Sequence, residues 1–170
     1  MKSKKNLVLL GMMGSGKSTI GLLISKKLKL EFVEIDKIIE KNANMKINDI
    51  FKMKGESYFR YLEEKTTLKS LNSKNTIISL GGGAFINDKI RNETLANNFS
   101  FWLNCDILTI LNRLKKSKKR PLARKLNDLE IIKLFESRSK IYSKAKFKIN
   151  CDKLSKIEIV NKIIKLYENK

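Results

Sequence analysis

Apolar residues along this chain fall into two alternating patterns. Short continuous runs such as Leu7-Val8-Leu9-Leu10 and Ile77-Ile78-Ser79-Leu80 read as strands buried on both faces. Longer stretches, such as that from Thr19 to Leu28, repeat their apolar residues at helical spacing. On this reading the sequence predicts strands over residues 7–10, 31–35, 76–80, 99–103 and 147–150. It predicts helices over about 17–29, 36–41, 47–54, 57–71, 89–97, 107–116, 128–144 and 155–167. Such alternation of strand and helix implies an α/β fold, a five-stranded parallel sheet flanked by helices in three layers. The alternation lapses after residue 36, where helical segments follow one another, so residues of about 36–62 read as an insertion on the carboxyl edge of the sheet. A second irregular stretch, about 115–126, is basic and holds the only proline, Pro121; that composition suits a lid over bound phosphates.

Candidate chemistry begins between the first strand and the first helix. Gly11-Met12-Met13-Gly14-Ser15-Gly16-Lys17-Ser18 fits G-x-x-x-x-G-K-[ST], the phosphate-binding P-loop, in the strand–loop–helix setting that pattern requires. Its glycines allow successive N–H groups to point into one concavity at a helix N-terminus, where an anion is favoured. Gly14, Ser15, Gly16, Lys17, Ser18 and Thr19 are therefore the expected nucleotide-binding set. Lys17 reaches the β- and γ-phosphates, and Ser18 offers its hydroxyl to Mg²⁺. The competing reading, a glycine-rich turn that happens to precede Lys-Ser, leaves the flanking strand and helix unexplained.

Composition narrows the function further. At 170 residues the chain forms one domain, a single unit over 1–170 with a sizeable core. Histidine is absent, and Cys105 and Cys151 stand far apart in no metal-ligand spacing, which excludes a His-based triad and a structural zinc site. A basic start with neither a signal-type apolar region nor a membrane-length run leads to the expectation of a cytoplasmic protein with reduced thiols and no membrane partner. The net charge of +20 admits a polyanion-binding reading, but it is mostly lysine spread over nearly every predicted helix, as on a solvated surface. Arginine is scarce, occurring only at 60, 91, 113, 120, 124 and 138, and where lysine serves for plain charge an arginine suggests a need for its planar fork.

Four further features fall near predicted strand ends or on the lid. Glu34-Ile35-Asp36 closes the second strand, where α/β folds place ligand contacts; Asp36 could equally be a helix N-cap. Gly55-Glu56 through Glu63 puts Arg60 and Glu63 on one helical face, either to hold a small carboxylate ligand or as a surface ion pair. Gly81-Gly82-Gly83 ends a buried strand, which suits close approach to a ligand or a plain turn. Arg120-Pro121-Leu122 lies in the lid stretch and Arg138 to Tyr142 on a later helix; either arginine alone could face solvent.

Together these residues resemble the shikimate kinase family, P-loop proteins of the nucleoside-monophosphate-kinase type, over residues of about 6–150. The resemblance implies transfer of the γ-phosphoryl of ATP to the 3-hydroxyl of shikimate, with Mg²⁺, within aromatic amino acid biosynthesis. It implies Lys17, Asp36 and Arg120 as catalytic residues. Asp36, Arg60, Gly82 and Arg138 would bind shikimate, Arg120 would touch ATP from the lid, and Ser18 would meet the metal. ATP and shikimate are the expected partners of a monomer that has no specific nucleic acid to bind. The chain departs from the family in Glu34, where Asp is usual, and in Lys140, where a proline is usual after Arg138. The alternatives are another small-molecule or nucleotide kinase of the same fold, such as a gluconate kinase, and a polyanion-binding P-loop protein.

Overall fold

A computed structural model describes residues 5–116 and 126–169. Five strands, β1 (Leu7–Leu10), β2 (Glu31–Glu34), β3 (Thr76–Ser79), β4 (Phe99–Asn104) and β5 (Phe147–Asn150), form one sheet in the order β2-β3-β1-β4-β5. Every pairing is parallel. The three central strands are the continuous apolar runs, and their residues are buried almost throughout, whereas the edge strands β2 and β5 are only partly so. This is the signature of a parallel sheet covered on both faces.

Seven helices lie among the described residues: α1 (Lys17–Leu28), α2 (Ile35–Ala43), α3 (Ile47–Leu71), α4 (Asp88–Asn97), α5 (Ile107–Lys116), α6 (Asp128–Tyr142) and α7 (Lys156–Glu168). The crossover through α1 moves from β1 toward β2 and that through α4 moves from β3 toward β4, in opposite directions across the sheet. With right-handed crossovers these helices must cover opposite faces. Gly21 of α1 lies so close to β2 that a methyl group there would run into the Phe32 ring. At the amino end of the sheet the buried Asn6 side chain donates to Leu71 O, Ser73 O and Asn98 Oδ1 and accepts from Thr76 N, tying α3, α4 and β3 to β1.

The predicted elements are all present, with shifted ends that matter for function. Ile35, expected to finish β2, is instead the first residue of α2, so strand passes to helix without a loop. Asp36 consequently sits inside the first helical turn, and the capping position belongs to Glu34; the N-cap reading of Asp36 is not met. The two helices expected over 47–54 and 57–71 form one run, α3, broken at Gly55, whose φ of 82° and ψ of 169° are not helical. Phe51 and Phe59 pack across that break with ring centroids 4.7 Å apart. Helix α6 stops at Tyr142, two residues before the expected end, and a short 3₁₀ turn over Ala84–Ile86 follows the glycine triplet. Capping boxes, Asn127 with Glu130 and Ser155 with Glu158, start α6 and α7.

Candidate active site

The carboxyl ends of β1, β2 and β3 lie side by side in the sheet, and the P-loop between β1 and α1 forms one half of the candidate site. Gly14 and Gly16 take φ of 83° and 95°, values that L-residues rarely adopt, and Gly16 leads directly into α1. Lys17, 8% exposed, turns back over the loop and donates to Gly11 O at 2.8 Å and Met12 O at 3.1 Å. Ser15 Oγ is buried and has no hydrogen-bond partner among the described residues. A buried hydroxyl left in this state costs free energy unless a ligand satisfies it, and a phosphate oxygen would do so. The Ser18 hydroxyl donates to Glu34 Oε1, and Glu34 Oε2 meets Lys37 Nζ at 3.0 Å. Register explains the meeting with Ser18, because Glu34 pairs with Ser79 and Ser79 with Leu9, near the strand end from which the P-loop departs. A hydroxyl and a carboxylate side by side are hard oxygen donors, the set that Mg²⁺ prefers.

The acceptor half is built by α2, α3, α6 and the glycine triplet. Arg60 reaches Glu63 Oε2 through Nη1 at 2.6 Å and Glu56 Oε1 through Nη2 at 3.1 Å. Glu63 is 3% exposed, so this is not a surface ion pair. Burial pushes the Glu63 carboxyl above its ordinary range, and nearby Asp36 adds to the effect, while Arg60 and then Arg138 oppose it. Burial on its own would lower Arg60, but the Glu63 and Glu56 carboxylates outweigh it and hold the guanidinium above its usual value. Tyr142 donates its hydroxyl to Gly82 O. Burial pushes that phenol up to about 12 even though Arg138 lies beside it.

The glycine triplet joins the two halves, and its reason is space. None of the three residues takes a positive φ. A Cβ on Gly81 would lie 2.7 Å from Glu63 Oε1 and 2.8 Å from Asp36 Oδ1, and one on Gly83 would lie 2.6 Å from Arg60 Nη1. A Cβ on Gly82 would lie 3.5 Å from both Arg138 Nη1 and Met13 N of the P-loop. Side chains from α2, α3 and α6 therefore close on one bare stretch of backbone that also borders the P-loop.

The structure thus brings together Lys17, Ser18, Asp36, Arg60, Gly82 and Arg138, residues 121 apart in the chain at the extremes. Arg120, with Pro121 and Leu122, lies outside the described residues. Two features near the site escaped the sequence reading. Arg113 of α5 donates to Gly14 O at 3.1 Å, placing a guanidinium against the P-loop; its scarcity as an arginine was the available signal. The other is Tyr142, noted in sequence only as part of a segment, whose bond to Gly82 O depends on a fold that spans 60 residues.

Comparison with known proteins agrees with this geometry. The family model described as shikimate kinase matches residues 13–168. The shikimate kinase of Sulfurihydrogenibium sp. is 44% identical over 161 residues, covering 94% of this chain and 96% of the relative. That of Bacillus subtilis is 39% identical, covering 95% and 88%. Among solved structures, shikimate kinase from Acinetobacter baumannii in complex with shikimate superposes with a TM-score of 0.91 at 26% identity, covering 98% of this chain and 94% of that one. Shikimate kinase from Aquifex aeolicus gives 0.85 at 36%, covering 96% of each chain. A deoxyadenosine kinase from M. mycoides, 18% identical with a TM-score of 0.69 over 97% of this chain and 100% of its own, shares the fold alone.

Proposed function

The chain belongs to the shikimate kinase family, and from that premise we propose how its own side chains carry the transfer of the γ-phosphoryl of ATP to the 3-hydroxyl of shikimate. Phosphoryl transfer asks for positioning and charge stabilisation more than for covalent chemistry. The P-loop amides, the Ser15 hydroxyl and Thr19 cradle the phosphates. Lys17 leaves Gly11 O and Met12 O for the β/γ-oxygens. Ser18, with Glu34 behind it through water, would hold the Mg²⁺ that accompanies ATP, which supplies further neutralisation of phosphate charge.

Arg60 and Arg138 grip the shikimate carboxylate, Gly82 meets the ring through its backbone, and Asp36 orients the attacking hydroxyl. Residues of about 36–62 act as the acceptor-binding insertion. Those of about 115–126 act as the lid that brings Arg120 to ATP. The single observation that supports the reading best is the position of Gly82, with Arg138 Nη1 on one side and Met13 N on the other, each 3.5 Å from where a side chain would begin. An acceptor held there lies against the phosphate loop.

On this reading the enzyme is a cytoplasmic monomer. Among the described residues no helix is long and apolar enough to cross a membrane. Arg60, Arg91, Arg113 and Arg138 all turn to groups of the protein itself, which supports reading the positive charge as a solvated surface rather than a site for specific nucleic acid. A coupled ADP-release assay over shikimate, gluconate and nucleoside monophosphates tests the acceptor site. Turnover is expected with shikimate alone, and comparable turnover with gluconate would overturn the roles given to Arg60, Gly82 and Arg138.

A further inference from the structure

The two cysteines, far apart in sequence, meet beside the P-loop. Strands β4 and β5 pair in parallel through Asn104 and Asn150, and Cys105 and Cys151 are the next residues of each chain segment. The ladder continues to them, because Cys151 N donates to Asn104 O at 2.9 Å. The Asn104 and Asn150 amides are bonded at 3.0 Å just before. Neighbouring parallel strands run about 4.8 Å apart, within the roughly 4.4–6.8 Å that a disulfide spans between Cα atoms. Both thiols are free and buried, 3% and 5% exposed. No step of phosphoryl transfer uses them.

Their surroundings connect them to the nucleotide loop. Cys105 Sγ donates to Ser15 O at 3.5 Å, and Arg113 Nη1 lies 3.7 Å from the same sulfur while it bonds Gly14 O at 3.1 Å. The Cys151 thiol donates to Ile149 O at 3.2 Å, and its nearness holds the Cys105 thiol below the ordinary thiol range against the opposing effect of burial; Arg113 lowers it further, and Asp152 opposes. Cys105, and after it burial, raises Cys151. One thiol is thus set up to attack and its neighbour keeps its proton.

We infer that Cys105 and Cys151 form a peroxide-sensitive dithiol whose closure to a disulfide disturbs the ATP phosphate loop. The Cys105 thiolate attacks one oxygen of hydrogen peroxide, the O–O bond breaks, and the released hydroxide takes a proton to leave as water, with Cys105 now a sulfenic acid. The Cys151 sulfur then attacks the Cys105 sulfur, the S–O bond breaks, and hydroxide leaves as a second water with the Cys151 proton. Two thiols lose two electrons and peroxide gains them. Peroxide is scarcely larger than water, so it can enter where a bulky reagent cannot. Drawing Cys105 Sγ toward Cys151 removes its contacts with Ser15 O and Arg113, two of the supports of the loop between Gly14 and Ser15. The consequence for ATP rests on the role proposed above for that loop, whereas the disulfide itself does not.

The test treats the folded, full-length protein with hydrogen peroxide and reads linkage and kinetics separately. Mass spectrometry is expected to show the loss of two hydrogens and a peptide joining Cys105 to Cys151. The KM for ATP should rise about tenfold, the size of one or two lost phosphate contacts, with the KM for shikimate unchanged and dithiothreitol restoring both readouts. Cys151→Ser should stop at a single added oxygen on Cys105, trapped by dimedone once the oxidised protein is unfolded. Peroxide that leaves both thiols intact until the protein is denatured would overturn the dithiol. A disulfide that forms while the KM for ATP stays fixed would overturn its link to the P-loop.

Discussion

In the acceptor half of the site the charged groups are paired with one another: Arg60 with Glu63 and Glu56, and Arg138 with Tyr142, whose hydroxyl also holds Gly82 O. In the phosphate half Lys17 is folded onto the carbonyls of its own loop, Ser18 is bonded to Glu34, and Ser15 Oγ is unsatisfied. The first half holds its shape through contacts that a small carboxylate can join without breaking them all. On the function proposed above, the second exchanges protein partners for phosphate oxygens. The difference follows from what each side receives. A monoanionic acid brings little charge and needs orientation, whereas ATP brings enough charge to displace backbone carbonyls from a lysine.

Breaking the phosphate half should do the most damage. Lys17→Ala removes the cation placed against the charge that develops on the transferring group, and turnover should fall roughly 10²–10³-fold, the loss seen when one preorganised stabiliser is deleted. Steady-state ADP release at saturating ATP and shikimate measures it. Turnover within threefold of the parent would mean that Lys17 stays on Gly11 O and Met12 O throughout.

The acceptor half offers a finer discrimination. Arg60→Lys and Arg138→Lys keep the charge and lose the fork, so each should raise the KM for shikimate about tenfold, a little over 1 kcal/mol. Because these side chains lie outside the P-loop, ATP affinity measured by calorimetry should hardly move. Equal losses in both affinities would show that the halves are mechanically one unit.

How far the site could be read from sequence follows the same division. The P-loop was legible because its chemistry lies within eight consecutive residues and the pattern names each role. Strands were legible because burial on both faces leaves continuous apolar runs, as in Leu7–Leu10. The acceptor half depends on long-range approach. Nothing in Gly81-Gly82-Gly83 says that Glu63, Arg138 and Arg60 will close on it; the triplet alone favours close approach to a ligand over a plain turn without naming what approaches. Local capping misled at Asp36, since strand and helix meet at Ile35 with no intervening loop. The cysteine pair was illegible for a related reason, because parallel register sets residues 46 apart side by side.

Glu34 stands between the halves, bonded to Ser18 and to Lys37. If it supports the metal through water, Glu34→Gln should shift the Mg²⁺ concentration needed for half-maximal turnover upward several-fold, with shikimate affinity little changed. Magnesium titrations of the two proteins at saturating substrates decide it. Superimposable titrations would assign Glu34 to the fixed scaffold and leave Ser18 alone on the protein side of the metal.

The smallest effect concerns the internal balance of the acceptor half. Burial raises the Glu63 carboxyl above its value in the unfolded chain, about 4.3 for a free glutamate, despite the ion pair with Arg60. Between those two values the folded protein binds more protons at Glu63 than the unfolded chain does, so the stability contributed there declines as pH rises. It is fully present below the unfolded value and lost above the folded one. Glu63→Gln removes this proton, and thermal melts of both proteins from pH 4 to 7 isolate it. The melting temperature of the parent relative to the variant should fall by a few degrees across the window. A rise instead would mean that Arg60 outweighs burial, and the arginine proposed to grip the acceptor would then be bound more tightly to its own helix than the raised carboxyl implies.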